Sequence, residues 1–209
     1  MGRQNKFIRR LPEDRRKILI AATLKCLSEE GHEGLSTRKI SAAAGISVGL
    51  INHHYTSKEE LVAQAYETLT ISLLEAAKEA VDQAGDNARD QLIAMVKSMF
   101  SRPMLDPGVL RCWLVFWGMI DRGTILKSVH DRTYSDYRVF VEGLLARLAV
   151  DYKMPLLDIS LAAIGLLALV DGLWIEWCLS PTSFGPDAAV RLCVAWIDAL
   201  VIRATPANP

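Results

Sequence analysis

The sequence predicts an all-α architecture, a small helical head followed by a larger helical body, on three observations. Apolar residues recur at the helical period in nearly every segment, and no run alternates convincingly at the two-residue period of a strand. Glycine, proline and capping residues stand between those segments, where helices start and stop. The 209-residue chain is 51% hydrophobic and 23% charged, long enough to bury a sizeable core and too apolar for a disordered one.

The first helix is expected over residues 13–30, because Leu19, Ala22, Thr23, Cys26 and Leu27 follow i, i+3, i+4, i+7, i+8. Gly31 stands where its C-terminal stop belongs. Ser36 caps a short helix over 37–44, with Ile40 and Ala43 facing inward. Gly45 breaks it, and Ser47 caps a second short helix over about 48–54. Thr56 and Ser57 open a long helix to about residue 82, since both Thr56–Glu59 and Ser57–Glu60 have capping-box spacing. Gly85, Asp86 and Asn87 mark a break before a helix to about residue 101, and Pro103, Pro107 and Gly108 mark a loop. Further helices are expected over 109–121, 124–152, 155–179 and 186–203, with Pro155 at a first helical position and Pro181 ending the helix before it. The head is placed at 1–56 and the body at 57–209.

Charge divides the same way. The whole chain has 24 Lys+Arg against 24 Asp+Glu, yet residues 1–61 hold 11 cations against 7 anions and the remainder the opposite excess. Arg3, Lys6, Arg9 and Arg10 open the chain with no anion among them. Such asymmetry points to a nucleic-acid or membrane partner. A membrane span is not expected: the most apolar run, 159–170, is 12 residues before Asp171, short of the ~20 a span needs. Nor does the N-terminus have the apolar stretch of a signal peptide. Cys26, Cys112, Cys178 and Cys193 are scattered without a paired motif, as buried thiols in a reducing compartment would be. A cytoplasmic protein is the expectation.

Two short helices joined through Gly45, Ile46 and Ser47 have the layout of a helix-turn-helix, whose second helix fits the DNA major groove. Ile40, Ala44, Ile46 and Ile51 would hold the pair against the first helix, leaving Ser47, Val48, Gly49, Leu50, Asn52 and His53 to the groove. Asparagine pairs bidentately with adenine, Val48 or Leu50 could touch thymine methyls, and the N-terminal cations would attract phosphates. His53 and His54 have no carboxylate or cysteine at helical spacing to complete a metal site. The run Gly45-Ile46-Ser47-Val48-Gly49 fits the nucleophile elbow of serine hydrolases, but that elbow needs a strand where a helical pattern precedes it here. Neither an enzyme nor a cofactor is therefore expected.

The run from Leu35 to Leu61 resembles the DNA-binding head of the tetracycline-repressor (TetR) family at Thr37, Ile40, Ala44, Gly45, Ile46, Ser47, Gly49, His54, Tyr55, Lys58 and Leu61. The resemblance implies phosphate contacts from Thr37, His54 and Lys58, counts Tyr55 among the DNA-binding residues, and puts Arg38, Val48, Gly49, Leu50 and Asn52 toward the bases. The family commonly carries aromatics at the positions of Asn52 and His53; this chain has neither.

In the body, Trp113, Phe116 and Trp117 recur at i, i+3, i+4, Tyr134 and Tyr137 follow, and Trp174 and Trp177 lie near Asp171 and Glu176. Aromatic stripes more often mark a core than a pocket; aromatics beside a carboxylate can also hold an organic cation. The segments 110–117 and 170–174 resemble BetI-type repressors of that family, which control choline-to-betaine synthesis and respond to metabolites of that pathway. The last two helices place Leu161, Ile164, Ala168, Val190, Val194, Ile197 and Val201 on apolar rows suited to a core or to a four-helix bundle between two subunits, and the resemblance implies the bundle. It also implies a repressor on a palindromic double-stranded DNA operator, released by a small-molecule effector. An activator, or a regulator without an effector, remains open.

Overall fold

The computed structural model describes residues 12–120 and 124–204, and over these it holds nine α-helices and no strand. Arg3, Lys6, Arg9 and Arg10 lie outside the described residues.

Three helices build the head. α1 (Pro12–Glu30) buries Leu19, Ala22, Thr23, Cys26 and Leu27, the row its period marks out, and ends at Gly31 with φ 70°. α2 (Thr37–Ala44) starts where the Ser36 side chain accepts from the Lys39 N–H, and buries Ile40; Ala43 faces solvent instead. α3 (Val48–His54) follows a turn in which Gly45, at φ 63°, donates to Ala42. That left-handed residue is why the turn carries glycine.

α4 (Lys58–Asp82) links head to body. Ser57 is its cap, accepting from the Glu60 N–H at 3.1 Å, while the Glu60 carboxylate reaches back to the Thr56 N–H and hydroxyl. One of the two possible capping boxes is thus chosen, and the Thr56–Glu59 spacing goes unused. α5 (Ala88–Met99) is capped by Asn87 and stops two residues short of expectation.

Two prolines behave opposite to expectation, for one reason. Pro107, expected in a loop, begins α6 (Pro107–Met119), because Asp106 directly before it accepts from the Gly108 and Val109 N–H groups. Pro155, expected at a helix start, follows Met154, which has no side-chain acceptor. Lys153 turns the chain there with φ 52°, and α8 (Ile159–Leu179) waits for the carboxylate of Asp158, which accepts from Leu161. α7 (Thr124–Asp151) and α9 (Pro186–Ala204) complete the body.

α1 packs on α2, α4 and α6; within the body α4, α5 and α7 pack on one another, α7 meets α8, and α8 lies on α6 and α9. Arg89 clamps α5 to α9 through a bidentate pair with Asp198, at 2.8 and 2.9 Å. α8 and α9 approach so closely at Gly165 that a Cβ there would stand 2.7 Å from the Trp196 ring.

The 12-residue apolar run before Asp171 lies within the longer helix α8. This helix runs unbroken through Asp171 to 21 residues, and by length and composition could cross a bilayer. One side of α8, with Ala163, Leu166, Leu167, Val170 and Trp174, is core. The opposite row, Leu161, Ile164, Ala168, Gly172, Ile175 and Leu179, is exposed. On α9, Ile197 is 0% exposed and belongs to the chain's own core, so it is not an outer-face residue; Val190 and Val201 also pack inward, and Val194 is half-buried. The outward row is Leu192, Ala195 and Ile202. α9 has two apolar rows, and its period alone does not say which one faces in.

Candidate nucleic-acid interface and ligand cavity

Around α3 the structure sorts the expected DNA contacts into three depths. Arg38, Ser47, Gly49, Asn52 and His53 are exposed, in one neighbourhood of the head. Thr37, Val48, Leu50, His54 and Lys58 are half-buried. Tyr55 is 6% exposed with its hydroxyl enclosed, so it supports α3 from beneath and does not present a side chain to DNA; the contact expected of it is corrected.

Several details shape this surface. The Ser47 side chain makes no cap hydrogen bond, contrary to its expected role, and its exposed hydroxyl is left to other donors or acceptors. A Cβ at Gly49 would meet nothing within 4 Å, so the chain's own packing does not demand glycine there. Lys58 donates to the Leu35 carbonyl at 3.4 Å, holding its ammonium over the start of α2. Burial, then the charges of His53, Arg16 and Arg15, pull His54 below the ordinary imidazole range, favouring its neutral form. Where a serine-hydrolase elbow would have a strand, Ser47 follows helix α2.

The body contains a cavity of about 50 Å³, several times the ~10–15 Å³ that one water needs. α4 contributes Tyr66, Thr70 and Leu73; α5 Met99; α6 Trp113 and Trp117; α7 His130, Thr133, Tyr134 and Tyr137; α8 Leu167, Val170, Asp171 and Trp174. Trp113 stacks on Trp174 with centroids 6.0 Å apart and meets Tyr66 edge-on at 5.8 Å. The Trp174 indole N–H donates to the Met99 carbonyl at 3.1 Å, which fixes its ring. The indole N–H of Trp113 and the hydroxyl of Tyr137 are buried with no partner among the described residues.

Asp171 is the carboxylate of this cavity. Burial pushes its pKa up from the ordinary 3.8 to about 6, and no described cation pairs with it. Burial dominates the tyrosines as well: Tyr66, Tyr134 and Tyr137 are all raised, and the nearby Asp171 charge adds to it. The lining therefore joins aromatic faces to one uncompensated acid.

Six of the eight ligand residues expected from the sequence line this cavity: Trp113, Trp117, Tyr134, Tyr137, Asp171 and Trp174. Phe116 does not, being 0% exposed in the core against Tyr66; nor does Trp177, which packs edge-on against Phe184. Tyr66, His130 and Thr133 were missed. The lone signal for them was an aromatic or imidazole on an otherwise charged amphipathic helix.

A family model described as "BetI-type transcriptional repressor, C-terminal" matches residues 88–202, over half of the chain, and one described as "Bacterial regulatory proteins, tetR family" matches residues 19–65. The chain belongs to the TetR family of transcriptional regulators. Among curated relatives, the regulator BetI of Stenotrophomonas maltophilia is 30% identical over 88% of this chain and 91% of its own. The regulator BetI 1 of Chromohalobacter salexigens is 27% identical over 93% and 94%. A protein of Pseudomonas aeruginosa PAO1 described as a transcriptional regulator has a solved structure with a TM-score of 0.89, at 44% identity and 98% coverage of both chains. The fold also recurs, at TM-score 0.78, 17% identity and coverage of 89% and 96%, in a regulator from Saccharomonospora viridis crystallised with choline.

For a TetR-family regulator the two places described above have distinct chemistry. The exposed surface around α3 offers a guanidinium, an amide and a hydroxyl, the groups that read base edges and hold phosphates. The enclosed cavity offers aromatic faces and one negative charge.

Proposed function

We propose that this chain is a homodimeric, cytoplasmic repressor that holds a palindromic DNA operator through its two heads, residues 1–56, and releases it when a small organic cation enters the cavity of the 57–209 body. Choline is the reference compound, and the same chemistry would accept related quaternary or protonated amines.

The observation that carries the ligand class is Asp171: a half-buried carboxylate among aromatic rings with no described cation beside it. A cationic ligand supplies the missing charge and gains attraction from the ring faces, worth ~2 kcal/mol or more when desolvated. A neutral or anionic ligand would leave the acid uncompensated.

The dimer rests on the outer row of α8. Leu161, Ile164, Ala168, Gly172, Ile175 and Leu179 follow one another at steps of three or four residues, the spacing of a helix-bundle seam. Leu161 is 65% and Ile164 44% exposed, large apolar side chains in an unbroken row. Leu192, Ala195 and Ile202 continue it on α9. Two copies packed through this face would set two copies of α3 to read equivalent half-sites.

The test is a gel shift on the DNA upstream of the protein's own coding sequence, with and without choline, betaine aldehyde, polyamines and an uncharged metabolite. Release by cations alone is expected; release only by the uncharged compound would sink the ligand class. In the same assay Arg38→Ala and Asn52→Ala should cost about 1–3 kcal/mol on specific DNA and little on random DNA, whereas Lys58→Ala should weaken both alike. Specific binding untouched by the first two substitutions would dismiss those roles.

A further inference from the structure

Tyr66 occupies a position that no other cavity residue shares. It lies eight residues past the start of α4, whose first turn is bound into the head: Ser57 caps it, Lys58 donates to the Leu35 carbonyl, and Leu61 is fully buried. Only Tyr66, Thr70 and Leu73 reach the cavity from α4, and Tyr66 is the one nearest the head. Its hydroxyl is tied across to α7 by a 2.7 Å hydrogen bond with His130 Nδ1. Its ring meets Trp113 and Phe116 of α6 edge-on, at 5.8 and 5.1 Å.

We infer that Tyr66 is the positioning residue through which occupancy of the cavity reaches the DNA-binding head, and that its hydrogen bond to His130 holds α4 in the operator-binding register. The inference rests on the reading that the cavity takes a small organic cation. A cation seated on the Tyr66 ring needs that ring to present its face. The ring cannot turn freely while its hydroxyl is held by His130 and its edge is wedged against α6. Occupancy therefore competes with the hydrogen bond, and the helix carrying Tyr66 is the one that enters the head. The neighbouring Glu67–Arg132 ion pair crosses the same α4–α7 seam on the outside, where solvent screens it, so it is a weak substitute.

A second observation concerns the space beside α4. A solvent-open groove of about 240 Å³ runs between α1, α4 and α6, with Leu24 and Ser28, Leu69, and Val109 and Cys112 along its walls and Lys25 and Asp106 at its rim. Leu69 is one turn beyond Tyr66 on the same helix. Close-packed interiors resist small displacements, but a helix side that borders an open groove can shift without overpacking. α1 forms the far wall, and α2 packs on α1 with α3 on α2, so a shift at Tyr66 has a packed route to the recognition helix.

The experiment compares Tyr66→Phe, His130→Gln and the double variant with the wild type. Choline affinity is read by tryptophan fluorescence, operator affinity by gel shift with and without saturating choline, and ligand-free amide exchange over residues 58–69 by mass spectrometry. In each single variant, the choline-induced drop in operator affinity should shrink at least tenfold more than choline affinity does. The double variant should be no worse than the poorer single. Full release in both single variants, or additive losses in the double, would overturn the inference. If wild-type protein binds neither choline, tetramethylammonium nor a polyamine, the cation reading fails by itself. The hold of Tyr66 on α4 is then decided without ligand: exchange over 58–69 at least tenfold faster together with weaker ligand-free operator binding in both single variants upholds it, and unchanged exchange or unchanged operator binding overturns it.

Discussion

Asp171 trades stability for a binding charge, and the two can be measured apart. Its folded pKa of about 6 lies above the ordinary 3.8, so the unliganded fold prefers the protonated acid. Stability should therefore rise as pH falls through 6 toward 4, and ionisation at pH 7 costs about 3 kcal/mol for a shift of about two units. Asp171→Asn should raise the melting temperature of the free protein by several degrees in calorimetry while weakening choline at least tenfold. Wild-type choline affinity should fall in parallel when the buffer is taken from pH 7.5 to 5.5; equal affinities at both would remove Asp171 from the site. Gly49 offers the complementary separation in the head. Alanine fits the space there and favours the helix by ~1 kcal/mol, so Gly49→Ala should stabilise the fold and weaken operator binding, because the added methyl stands where DNA must approach. Residues of this kind were unevenly legible. Asp171 and Trp174 stood out as a charge and an indole one turn apart on an apolar helix. Tyr66 and His130 did not, because each stands beside charged residues, Glu67 and Asp131 with Arg132, and Tyr66 has no aromatic partner at helical spacing that sets it apart. Which side of α4 or α7 turns inward is set by their packing on each other, which no single helix encodes. Phe116 shows the converse: the i, i+3, i+4 triplet spans an arc wide enough to be divided between core and cavity.

Helix existence was plain from periodicity, and helix ends depended on capping chemistry. Pro107 and Pro155 make this concrete: each could begin a helix, and only the one directly preceded by a carboxylate does so. The same ends matter for function, because the start of α6 forms one wall of the space beneath α1. Val109→Phe would fill part of that space. Its expected effect is a protein of near-normal choline affinity whose operator release is blunted, since α4 has lost its clearance; gel shifts across a choline titration check it. Unaltered release would show that the space is incidental. α8 and α9 show where periodicity runs out. Both are apolar on more than one side, so the sequence marked them as buried without telling a chain's own core from a partner's, and Ile197 fell on the wrong side.

At the scale of the whole molecule, charge and association follow from the same division. The cationic excess lies in the helix-turn-helix third and the anionic excess in the remainder, so the zero net charge conceals a head that attracts phosphates and a body that repels them. Ile164→Arg places a charge in the middle of the outer row of α8. It should convert the dimer to monomers in sedimentation experiments and abolish specific operator binding, while leaving the fold of each chain, and its circular dichroism, intact. A dimer that survived would show that its contacts lie elsewhere. α8 also faces two ways at once. Asp171 and Trp174 line the cavity from one side of it, while Ile164, Ala168 and Ile175 stand on the other. In a two-fold assembly the helix that senses one ligand is then the helix that touches the neighbouring subunit. If two copies pack through this face as proposed, a displacement in one half reaches the other, and filling the first cavity should prepare the second. The dose–response of such a switch is steeper than simple saturation, with a Hill coefficient between one and two.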